Sequence, residues 1–254
     1  MGSKLRRSFN TNNLTMKLDI LAFAAHPDDV ELGCSGTLLK HISLGKKVGI
    51  IDLTAGELGT RGTPEIRQTE STIASKIMGV DIRETLSLPD GVFEINGANK
   101  LEVVKMIRKY QPEIILANAI TDRHPDHGRA GQLISESCFL SGLIKVETKD
   151  ETNNNQQAWR PKAVYHYVQD RYLKPDFVID ITSFMEKKME AIKAYSSQFY
   201  NPDSDEPITP IATKDFLDFL YARAREYGRI INVKYGEGFI AERAVGVHSL
   251  FDLT

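Results

Sequence analysis

Short apolar runs alternate with longer amphipathic ones along most of this chain. LDILAFAA (18–25), KVGIIDLT (47–54), ETLSL (84–88), EIILANA (113–119), AVYHYV (163–168) and FVIDI (177–181) read as strands. The first four are mostly followed by polar or glycine-containing residues, as strands buried on both faces of a parallel sheet are. Between them, GTLLKHISLG (36–45), PEIRQTESTIASKIMG (64–79) and NKLEVVKMIRKY (99–110) predict helices; in the last, Leu101, Val104, Ile107 and Tyr110 form an apolar stripe at helical spacing. Two further helical patterns, 184–199 and 213–231, follow near the C-terminus, the second closed by Gly228. Alternating strands and helices predict an α/β fold, a Rossmann-like doubly wound and mostly parallel sheet flanked by helices, with additional C-terminal helices. The polar stretches 149–157 and 201–210 read as loops.

Size and charge narrow the function. At 254 residues, with 41% hydrophobic and 26% charged side chains, the chain suits one globular domain over residues 16–254. A net charge of -2 gives no broad footprint for nucleic acid or an anionic membrane surface, and no apolar run approaches the roughly 20 residues of a membrane span. A small-molecule partner is expected. Residues 1–15 are basic without the apolar middle of a signal peptide, and read as a flexible arm or a remnant upstream of a start at Met16. Cys34 and Cys138 fit no C-x-x-C pattern, so a reducing, cytoplasmic setting without a disulfide is expected.

Chemistry concentrates at two turns. AAHPDDVE (24–31) ends the first strand, and TDRHPDHGRAG (121–131) follows the fourth in the same manner. Ligands of open α/β sheets gather beyond the carboxyl ends of the strands, so neighbouring strands would bring His26, Asp28, Asp29, His124, Asp126 and His127 into one small volume. Adjacent carboxylates repel and resist desolvation, which a divalent cation offsets. Histidine with carboxylate is a zinc-type donor set, and three protein ligands leave a position for water. His26, Asp29 and His127 are therefore the expected ligands, with zinc as the expected ion and ferrous iron also permitted. A metal lowers the pKa of bound water from about 15.7 to about 7. Asp28 is then the expected base, His124 the oxyanion or leaving-group partner, and Asp126 the residue that orients a histidine. The bland alternative is that each H-P-D is a turn and that Asp28 and Asp29 cap the helix that follows.

Other candidates are less determined. The loop TAGELGTRG (54–62) follows the second strand; its Arg61, like Arg123 beside His124, could grip a substrate carboxylate or simply lie solvated. His41 and His166 suit packing roles, and His248 falls outside both clusters. Gly33 and Gly36 in ELGCSGT do not make a dinucleotide fingerprint.

AHPDD paired with a later HPDH resembles the PIG-L or LmbE-like zinc deacetylases, which remove acetyl groups from N-acetylglucosamine conjugates. The likeness runs from about Leu18 to the C-terminus, and VELGCSGTL, DLTAGELGTRGT, LPDG, VQDRYLKPDFVIDI and SQFY are similar to the branch acting on N-acetylglucosaminyl malate in bacillithiol biosynthesis. The resemblance implies the roles assigned above, favours Arg61 and Arg123 as contacts for the malate end, and implies a homo-oligomer, a trimer or hexamer. Ser35 stands where many relatives carry glycine. A magnesium- or manganese-dependent phosphoesterase and a non-catalytic sugar-binding protein are the rival readings.

Overall fold

The computed structural model describes residues 16–253; the expected N-terminal arm lies outside the described residues. Seven strands, β1 (Ile20–Ala24), β2 (Val48–Asp52), β3 (Ile82–Thr85), β4 (Ile114–Ala117), β5 (Ala163–Tyr167), β6 (Phe177–Asp180) and β7 (Gly236–Ala241), form one sheet. Their spatial order is β3-β2-β1-β4-β5-β7-β6. The pairs from β3 through β5 are parallel, while β7 runs antiparallel to both β5 and β6. The doubly wound, mostly parallel sheet expected from the alternation is therefore the one observed.

Helices α1 (Asp29–Gly33), α2 (Ser35–Ser43), α3 (Pro64–Met78), α4 (Gly97–Tyr110), α5 (Pro125–Ser141), α6 (Met185–Lys193) and α7 (Lys214–Ile230) cover the sheet. Alternation along β1 explains why both faces need cover. Leu21 and Phe23 enter a core with Val103 and Ile107 of α4 and Leu133 and Ile134 of α5. Ile20, Ala22 and Ala24 enter another with Val30 of α1, Leu38 of α2 and Met78 of α3. Met185, Met189 and Ile192 of α6 join Leu220 and Ala224 of α7 in a third cluster. Each fully buried side chain of this size contributes about 1.5–3 kcal/mol through burial. Gly33 lets α1 approach the sheet, since a Cβ there would stand 2.2 Å from the Tyr167 ring.

Several expectations need correction. The third strand begins and ends earlier than 84–88, and the helix expected over 184–199 stops at Lys193. Leu101 is 36% exposed, and Val103 takes its place in the core beside Val104 and Ile107. Helix α5 escaped the pattern because small or polar residues (Ala130, Ser137, Ser141) occupy much of its buried face. Strand β7 contains two glycines, which weaken strand propensity and conceal its apolar alternation. Ser35 is buried and donates to the Glu31 carbonyl at 2.7 Å, so its hydroxyl ties the start of α2 back to α1. Cys34 and Cys138 are free and buried. No helix among the described residues is long and apolar enough to cross a membrane.

Candidate metal centre

Strands β1 and β4 are neighbours, with Ile20 paired to Ile114 and Ala22 to Leu116, so the turns leaving their carboxyl ends face one another. This is the point where the strand order reverses, and it brings the two H-P-D units together across about a hundred positions of chain. The rings of His26 and His124 have centroids 4.7 Å apart, His124 and His127 5.1 Å, and His26 and His127 5.6 Å.

The carboxylates fix these rings. Asp29 Oδ1 lies 3.0 Å from His127 Nε2, and Asp29 Oδ2 lies 3.6 Å from His26 Nδ1. The same Oδ2 accepts from the His26 amide at 2.9 Å and from Asn118 at 3.0 Å, so it is held from the β1 turn and from the end of β4. On the far side of its ring, His127 Nδ1 meets Asp122 at 2.5 Å, which turns Nε2 toward Asp29. His26 Nε2 lies 3.0 Å from Asp90 and 3.3 Å from Asp126. Asp126 is completely buried, also accepts from the Gly91 amide at 2.8 Å, and pairs with Arg129.

Helix capping does not account for the aspartates. Asp28 stands at the N-cap of α1, yet its side chain makes no cap bond. Its backbone lies at φ 118, a region non-glycine residues seldom adopt, and its carboxylate instead meets Arg67 at 3.1 Å. His124 is the N-cap of α5, where Nδ1 accepts from the Asp126 amide at 3.2 Å. That bond assigns the proton of a neutral His124 to Nε2.

The electrostatics separate the two neighbouring aspartates. Burial pushes Asp28 up to about 7 against the pull of Arg67. Burial acts on Asp29 in the same sense, but His127 and His26 hold it well below the usual carboxylate range. For the histidines, burial opposes charge and the facing carboxylates oppose burial: Asp126, Asp29 and Asp90 keep His26 well above its ordinary value, while Asp29 and Asp122 bring His127 to about 9. Burial, then the adjacent His26 and His127, lower His124, leaving it neutral near pH 7. Burial is likewise outweighed at Asp90, which falls to about 2 beside His26.

Five carboxylates gather here, those of Asp28, Asp29, Asp90, Asp122 and Asp126, and guanidinium groups pair with two of them, Asp28 and Asp126. The remaining three face imidazole nitrogens. A divalent cation can take the place of the protons on His26 and His127 opposite these carboxylates, and the donors to hold it converge: ligating atoms of His26, His124 and His127 lie within 4.8 Å of one another, as do those of His26, Asp90 and Asp126. The expected set of His26, Asp29 and His127 is brought into contact, with His124 and Asp90 as added neighbours.

These residues open into a cavity of about 500 Å³ that Arg61 and Arg123 also line. Arg61 is buried, and its guanidinium is already engaged by the Ser197 carbonyl at 2.7 Å, Ser204 at 2.8 Å and Glu206 at 3.3 Å. It holds the 197–207 segment over the site. Arg123 is half exposed at the mouth, 2.9 Å from Asp170. A cleft of about 590 Å³ beside Arg160 and Tyr165 is larger but lacks the histidine cluster. His166 is a buried packing residue bonded to the Asn118 carbonyl, and His41 bonds within its own helix. Sequence reading passed over Asp122, Asp90 and Arg67. Asp122 stands two residues before His124 in a stretch already singled out, and Asp90 lies in LPDG, so only their roles went unread.

The family model for GlcNAc-PI de-N-acetylase, PIG-L, matches residues 21–138, the span that carries both H-P-D turns. A conserved protein from Thermus thermophilus has the same fold, with a TM-score of 0.81 and 33% identity over 92% of this chain and 98% of that one. This chain belongs to the PIG-L family. With deacetylases among its relatives and a cluster of metal-type donors at its cavity, it is a metal-dependent N-deacetylase. Diacetylchitobiose deacetylase of Thermococcus kodakarensis is 28% identical over 86% of this chain and 81% of its own length. A Bacillus anthracis protein named "Probable N-acetyl-alpha-D-glucosaminyl L-malate deacetylase 2" is 25% identical over 71% of this chain and 81% of its own length.

Proposed function

We propose that this PIG-L member hydrolyses the acetamide of N-acetylglucosaminyl malate to acetate and a free amine, in bacillithiol biosynthesis. The observation that carries the hydrolytic reading is the convergence of three histidines and buried carboxylates at one cavity. His26, Asp29 and His127 would hold one zinc ion, ferrous iron being chemically acceptable to the same donors. When bound, the ion supplies Lewis acidity and a water acidic enough to attack near neutral pH.

The protein's own groups do the rest. Asp28, unencumbered by a cap bond, takes the proton of the attacking water. His124 presents Nε2–H to the oxyanion, and the proton that Asp28 took from the water passes on to the departing amine. Asp122 and Asp126 keep His127 and His26 in register. Arg123, at the mouth, would meet a malate carboxylate, while Arg61 shapes that wall through the 197–207 segment. The test offers purified protein N-acetylglucosamine conjugates bearing malate, inositol or a second sugar, and measures acetate and amine formed. Preferred turnover of the malate conjugate supports the full reading. Preferred turnover of another conjugate retains the deacetylase and removes the malate assignment. Binding without release of acetate favours a sugar-binding protein, and phosphate release from phosphoesters with magnesium favours the phosphoesterase.

We further assign the protein to the cytoplasm and to a homo-oligomer. Leu250 and Phe251, 82% and 97% exposed, form an apolar tail tip that a second copy would cover.

A further inference from the structure

We propose that Gln169, in the segment leaving β5, is a positioning residue that sets how tightly the metal is held, an inference that rests on the reading of Asp29 as a ligand. β5 lies next to β4 and parallel to it, so its exit reaches the same end of the sheet as both H-P-D turns. Gln169 is buried there. Its Oε1 accepts from the Ala119 amide at 3.1 Å and from Asn118 Nδ2 at 3.0 Å, and its Nε2 donates to Asp29 Oδ1 at 3.1 Å. A backbone N–H can only donate, so the Ala119 amide fixes which end of the Gln169 side chain is oxygen and turns the nitrogen toward Asp29.

Asn118 is turned the same way. Its Nδ2 serves both Gln169 and Asp29 Oδ2, while its buried Oδ1 has no partner among the described residues. An asparagine kept for general stability would satisfy that oxygen. Here both side chains direct their donors at one carboxylate, which also accepts from the His26 amide, so Asp29 is gripped at each oxygen while Oδ1 faces His127 Nε2. The same segment reaches His127. The Arg171 amide donates to Asp122 Oδ1 at 2.7 Å, and Asp122 Oδ2 faces His127 Nδ1. Arg223 of α7 secures the segment from behind, donating to the Gln169 carbonyl and, at 3.0 Å, to the Leu32 carbonyl in α1. The stretch VQDR (168–171) thus steadies both the Asp29 and the His127 arms of the centre.

The experiment measures the zinc dissociation constant, by competition with a chromophoric chelator, and the melting temperature with zinc and after its removal. The proteins are wild type, Gln169→Met, Asn118→Ser and a control, Gln156→Met, which loses a glutamine bond to the Lys105 carbonyl of α4. Groups that orient a ligating carboxylate change metal affinity about 10- to 100-fold, so Gln169→Met and Asn118→Ser should each weaken zinc by that factor. The rise in melting temperature that zinc gives should shrink in both. Gln156→Met should leave zinc affinity unchanged. Melting temperatures that fall equally with and without zinc, at an unchanged dissociation constant, would make Gln169 a packing residue and overturn the proposal. If Gln169→Met does not fold, Gln169→Asn, whose shorter side chain withdraws the amide, decides by the same readings: weakened zinc supports the proposal and unchanged zinc refutes it. A wild type that binds no zinc refutes the expected ligand set and the positioning role with it, whereas a zinc-binding wild type with unaffected variants refutes only the positioning role.

Discussion

Asp28 and Asp29 are adjacent in the chain and opposite in environment. Asp29 accepts from amides and faces two histidines, while Asp28 faces the cavity with one arginine behind it. Asp28→Asn should therefore lower acetate release by about 10²–10⁴-fold with metal content retained; full activity would remove the base assignment. The same residue makes a pH prediction for chelator-treated protein. Burial raises the Asp28 carboxyl to about 7, above its unfolded value, so the native state binds the extra proton between about pH 4 and 7. Stability from this group is present below that window and is lost as pH rises through it. Asp28→Asn abolishes the loss, so its melting temperature should gain on the wild type from pH 5 to pH 8, by the equivalent of at most about 3 kcal/mol. A constant difference would contradict the environment described. At this scale the histidines and the paired aspartates were legible because each turn spells its donors consecutively. Asp122 and Asp90 were not, since their roles depend on which imidazole nitrogen they face.

The elements that aim the site were mostly legible, and the ones that brace it were not. Four parallel strands announced themselves as apolar runs, whereas β7, diluted by glycine, supplies a brace no local pattern reveals. Its Glu237 accepts from the amides of Gly36 and Thr37 at 2.9 and 2.7 Å, holding the start of α2 just after the first H-P-D turn. Lys188 of α6 meets that carboxylate at 2.6 Å in a fully enclosed pair. Removing one partner strands a buried charge, so Lys188→Met should cost about 3–5 kcal/mol in urea unfolding. Lys162→Met, which breaks the exposed pair with Glu113, should cost less than about 1 kcal/mol. Similar losses in the two variants would refute the brace.

At the scale of the whole molecule, the cavity follows from topology. Reversal of strand order between β1 and β4 opens a crevice at their carboxyl ends, and the C-terminal half closes it through the 197–207 segment tied to Arg61. The sequence placed Arg61 over the site but could not say that its guanidinium would be consumed by chain 136 to 146 positions further on. The exposed tail belongs to this scale too. Phe251→Asp should shift the protein to a smaller species in sedimentation velocity while leaving the sheet intact, and an unchanged size would exclude the tail from the interface. The central claim, that one divalent ion draws both H-P-D turns together, is tested most directly by elemental analysis of purified wild type, Asp29→Ala and His127→Ala. The prediction is one zinc or iron per wild-type chain and clear depletion in each variant, with folding retained. Equal metal in all three, or none in active wild type, would contradict it.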